Sequence, residues 1–119
     1  MLDKKLIYNF AKKWIVKFQD QNINHLEIVD STMGDECRTL GFEIDCGHAF
    51  SDLYGEAIND YKKLRFVIEE VTDVYLLGSA IFYQWRYFNH WAYSGAEILE
   101  LQNREWFIIA LKRMLVLSR

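Results

Sequence analysis

Four residues of this chain have side chains that commonly bind zinc: His25, Cys37, Cys46 and His48. Thiolate sulfur and imidazole nitrogen are the usual zinc donors, and a turn between residues 25 and 48 could bring them together. Their spacing contains no C-x₂₋₄-C knuckle and no H-x₃₋₅-H pair. Cys46 is in phase with Ile44 and Phe42, so it reads as a small buried apolar residue. No metal site and no cofactor are expected.

A second set lies at helical spacing. Ser79, Tyr83, Arg86 and His90 are separated by four, three and four residues, which places them on one helix face. If that face is buried, Arg86 needs a carboxylate partner such as Glu69, Glu97 or Glu100, because stranding a buried charge is costly. The stripe reads as a structural polar network or as a small-molecule or metal site built on Arg86 and His90.

The third set is acidic. Residues 27–56 carry eight acids against one base, Arg38, whereas residues 1–20 carry five lysines against two acids. Such a segment reads either as a solvated surface or as a face for a basic partner. Glu27, Asp35, Glu36, Glu43 and Asp45 are the candidate contact residues.

Sequence signatures of catalysis are missing. There is no phosphate-binding G-x-x-x-x-G-K-[ST] loop, no G-x-G-x-x-G, no G-x-S-x-G elbow and no H-E-x-x-H. The Asp30–Glu36 stretch fails as a calcium loop because its glycine is fifth rather than sixth. Cys37 could serve as a nucleophile only with a base that nothing in the sequence places beside it. The expectation is a protein that is not an enzyme.

The elements that must position these residues follow from apolar periodicity. Leu6, Phe10, Trp14 and Phe18 recur every four residues and predict a helix over 3–20, with lysines on its other side. Leu26 and Ile28, then Leu40, Phe42, Ile44 and Cys46, alternate with polar or small residues. Polar, glycine-containing residues 31–36 lie between the two runs, so a β-hairpin is predicted over about 25–46. That hairpin would turn Glu27, Glu43 and Asp45 outward. Helical spacing returns near 50–58, 60–71 and 103–117, with Thr72-Asp73 as a cap before the next helix.

Residues 74–91 hold seven aromatics and a single formal charge, Arg86. Gln84, Arg86, Asn89 and His90 interrupt the run well short of the ~18 apolar residues of a membrane span. A central helix, contacted on most sides, is predicted here. The fold class expected is therefore α+β, one domain in which the hairpin packs on four or five helices.

Composition agrees with a folded domain: 119 residues, 51% apolar, 26% charged, no proline and six glycines. Two cysteines do not make a secreted disulfide framework, and the start resembles no signal peptide, so a cytoplasmic protein with no membrane partner is expected. The aromatics of the first helix fall away from its lysines, and the acidic middle would repel phosphate. Both features argue against direct nucleic-acid binding.

The block Leu77-Gly78-Ser79-Ala80-Ile81-Phe82-Tyr83-Gln84-Trp85-Arg86-Tyr87-Phe88-Asn89-His90-Trp91, followed by Glu105-Trp106-Phe107, resembles one in small uncharacterised bacterial proteins often encoded on mobile elements. The similarity covers roughly the C-terminal half and brings no catalytic residues with it. It implies a context in which small acidic proteins inhibit host nucleases by presenting carboxylates to a basic groove, in the manner of anti-CRISPR proteins. Antitoxins and immunity proteins show the same kind of face. The function expected is non-catalytic binding to another protein with a basic surface.

Overall fold

The computed structural model describes residues 3–43, 45, 47–91 and 95–119. Among them there is no β-strand. The described residues form seven α-helices: α1 (Lys4–Gln19), α2 (Leu26–Val29), α3 (Met33–Thr39), α4 (His48–Tyr54), α5 (Tyr61–Val67), α6 (Val74–Arg86) and α7 (Leu101–Leu117). Short 3₁₀ turns at Gly55–Ile58, Ile68–Glu70 and Ala96–Leu99 link them, and a π-helical turn, Tyr87–Trp91, extends α6.

The fold is thus all-helical rather than α+β, and the predicted hairpin is the element that is overturned. Its first arm is α2, started by a capping box: Asn24 Oδ1 accepts from Leu26 N at 2.9 Å, and Glu27 Oε2 accepts from Asn24 N at 2.9 Å. Its presumed loop is α3, opened by Ser31 Oγ accepting from Met33 N at 3.1 Å. Its second arm begins as the end of α3. Gly41 takes φ +83°, with Gly41 N donating to Arg38 O at 3.1 Å and Phe42 N to Cys37 O at 2.9 Å. That pair of bonds is a Schellman cap, which turns the chain and drives Phe42 into the core. Ile44 and Cys46, the rest of the predicted arm, lie outside the described residues.

The long helices α1 and α7 pack along each other, with Phe18 and Phe107 stacked at 4.5 Å between ring centres. Helix α6 packs against α3, α4 and α7, and nine of its thirteen residues are buried. It starts at Asp73, which accepts from Tyr75 N and Leu76 N at 3.0 and 3.3 Å. Side chains close open ends of the shortest elements. Trp85 Nε1 donates to Ile28 O at 2.9 Å, Asn89 Nδ2 to Val29 O at 2.7 Å and Trp106 Nε1 to Ala57 O at 2.8 Å. A four-residue helix has no turn to spare for its last carbonyls, so these bonds are what make α2 tenable.

Candidate functional site: a groove between two helices

Helix α1 presents Leu6, Asn9, Phe10 and Lys13 at offsets of three, four and seven residues, hence on one face. Opposite stand Asp35, Glu36, Thr39 and Leu40 of α3 and its end. Between them runs a groove of about 330 Å³. Phe10 forms its floor, 3% exposed and edge-on to Phe42 at 5.8 Å, while Leu6 stands 51% exposed at the mouth.

The charged rim is held by the chain itself. Glu36 takes Lys13 Nζ at 3.0 Å, Trp14 Nε1 at 3.4 Å and the Thr32 hydroxyl, and so ties α3 to α1. Arg38 bridges Asp35 at 3.1 Å and Glu43 at 3.0 Å while its guanidinium lies over the Phe82 ring at 5.3 Å. Three carboxylates thus face two cations, and the local excess of negative charge is one. Exposed ion pairs of this kind contribute at most about 1 kcal/mol each, so they orient the rim more than they stabilise the fold.

The five acidic candidates are engaged in different contacts. Asp35 and Glu36 line the groove and Glu43 joins them through Arg38. Glu27 is occupied in the cap of α2. Asp45 caps α4, taking Gly47 N at 3.1 Å and Ala49 N at 2.9 Å, and lines a different pocket of about 170 Å³ with Asp73 and Ser79.

No known protein family, curated protein or solved structure matches the chain. What it does must therefore be argued from its own geometry.

The polar stripe of α6 runs from core to surface. Ser79 is buried and donates to Leu76 O at 2.8 Å; Tyr83 is 37% exposed, and Arg86 and His90 are exposed. Burial therefore does not oblige Arg86 to take a carboxylate partner. Ser79 lines the pocket beside Asp45 and Asp73.

Of the zinc candidates, Cys37 lies in the core with its thiol pushed far up by burial, and the nearby Glu36 carboxylate adds to the effect. His48 is exposed at the start of α4, and Cys46 lies outside the described residues. Among the described residues no three histidine, cysteine or carboxylate groups cluster as metal ligands. Likewise no helix among them is long and apolar enough to cross a membrane.

Sequence reasoning missed Leu6 and Leu40 as groove residues. The every-four pattern in α1 places Leu6 with Phe10, Trp14 and Phe18, and those three are buried together with Ile7, Ala11 and Ile15, whereas Leu6 stands exposed at the edge of that face. Leu40 falls in the predicted hairpin. The available signal was Asn24-x-x-Glu27, a capping box that marks a helix start near residue 25 where a strand is predicted.

Proposed function

We propose that this chain is a non-catalytic protein-binding domain that receives an apolar row of its partner in the α1–α3 groove. One observation carries this reading: an open groove floored by Phe10, walled by Leu6 and Leu40 and rimmed by Asp35 and Glu36. Amphipathic helices dock in such grooves by apolar anchors three or four residues apart. Basic groups flanking those anchors would meet Asp35, whose side chain is 82% exposed. The partner class is a protein with basic residues around an apolar ridge. A nucleic-acid-binding host protein meets that description, so an inhibitor of the anti-CRISPR, antitoxin or immunity type is the role favoured. Because the acids are largely self-paired, anchors should contribute more to affinity than charge steering. The alternative is a small-molecule or metal site on Arg86 and His90, both exposed.

The test pairs two surface changes. Leu6→Glu should weaken capture of the native-host partner by about tenfold or more, the loss expected of one buried anchor. Leu53→Glu, at a leucine outside the groove that is more exposed still (67%), should leave capture unchanged. Both variants should melt with the parent. Undiminished binding by Leu6→Glu would overturn the groove as the contact and return attention to Arg86 and His90.

A further inference from the structure

At the opposite end of α1 a second pocket, of about 460 Å³, opens between Gln19, Gln21 and the first half of α7. Arg104, Ile108 and Lys112 line it at four-residue steps, so they share one face of α7. Gln21 Oε1 accepts from Arg104 Nη1 at 3.2 Å and holds the guanidinium across the gap between the helices. Arg104 Nε is enclosed and has no hydrogen-bond partner. That enclosed N–H is out of reach of the open pocket, so a ligand there would meet the guanidinium through its Nη groups.

The charge around it is unbalanced. Glu105, the carboxylate in the lining, is engaged by Arg65 Nη2 at 3.4 Å. Among the described residues neither Arg104 nor Lys112 makes an ion pair. Two cations therefore converge on a pocket whose one acid is already engaged. A guanidinium held in place by an amide is suited to the paired oxygens of phosphate or carboxylate, and Lys112 adds a mobile second charge.

We infer that this pocket binds a small anionic molecule through phosphate or carboxylate oxygens, with Arg104 as the fixed contact and Lys112 as the second. Eight residues of helix separate their backbones by about 12 Å, so the two side chains must reach toward each other over Ile108. A ligand carrying two anionic groups spans that distance better than a single ion. Leu99 and Ile108 offer cover for an apolar body.

The experiment follows the Arg104 Nε–H resonance of ¹⁵N-labelled protein during titration with pyrophosphate, citrate and orthophosphate. The resonance should shift saturably with pyrophosphate or citrate and more weakly with orthophosphate. Whichever of the first two binds tighter assigns the phosphate or the carboxylate class. Lys112→Gln, an exposed change that leaves folding alone, should weaken binding about tenfold, and Arg104→Gln should abolish it. Two outcomes overturn the inference: no saturable shift up to about 10 mM of either two-charge anion, or saturable binding that Lys112→Gln leaves intact.

Discussion

A glycine at position 34 is what lets α3 lie against α6. A Cβ there would sit 2.4 Å from the ring of Trp85, far inside contact distance. In an isolated helix Gly→Ala is favourable by about 1 kcal/mol, so the sign at this site depends on the clash. Gly34→Ala should destabilise by about 1–3 kcal/mol on denaturant titration, and much less in a Trp85→Leu background. Equal costs in both backgrounds would remove the Trp85 contact from the explanation. Three residues on, Cys37 makes a pH prediction. Burial pushes its thiol up, whereas an unfolded cysteine loses its proton near pH 8.5. Above that pH the unfolded chain binds fewer protons than the folded one, so stability falls as pH rises, by up to about 1.4 kcal/mol per unit. Below it the thiol is neutral in both states and contributes no slope. Denaturant midpoints measured between pH 8 and pH 10 should therefore decline less steeply in Cys37→Ala than in the parent. The comparison concerns slopes, because the alanine leaves a small cavity at every pH.

Among the elements, α2, α3 and α4 depend on their caps more than the long helices do. Asp45 takes two backbone N–H groups before α4, and Glu27 closes the box on α2. Removing such a cap costs about 0.5–2 kcal/mol. Asp45→Ala and Glu27→Ala should each lower the melting temperature, and the pair should be roughly additive because the caps serve different helices. If these acids were only a solvated charge face, removing them would leave stability level or raise it. The same elements show how much of the fold could be read in advance. The spacing over 3–20, 60–71, 74–91 and 103–117 predicts helices; α1, α5 and α6 lie within those ranges, and α7 begins two residues before its own, at Leu101. Across 25–46 the apolar residues also alternate, and so short a run of alternation does not separate strand from helix. The capping residues Asn24, Glu27 and Ser31 and the helix-ending Gly41 decide it, and they act through backbone geometry that a hydrophobic pattern does not register. The groove was illegible for the same reason: with Leu40 on a strand, nothing brings it beside Leu6.

At the scale of the whole molecule, one apolar cluster joins all seven helices. A chain of this size buries enough apolar surface to fold without a metal. Chelation with EDTA should accordingly leave the melting temperature unchanged in calorimetry. A drop of several degrees would bring His25, Cys46 and His48 back as ligands. Charge is arranged against the expectation of a broad acidic face. Lys13 and Arg38 are interleaved with Glu36, Asp35 and Glu43, so the excess counted along residues 27–56 is spread over caps and ion pairs. The sequence by itself determined the helices long enough to bury a periodic stripe, the burial of Phe107, Ala110, Leu111 and Met114, and the cap at Asp73. Those features depend on residues within a few turns of each other, and local periodicity records them. Only the tertiary structure decided that so short a capped segment at residues 26–29 holds as a helix, which contacts the acids make and which helices enclose a groove. A four-residue helix persists because Trp85 and Asn89, some sixty positions away, bind its carbonyls, and no local pattern encodes a partner that distant.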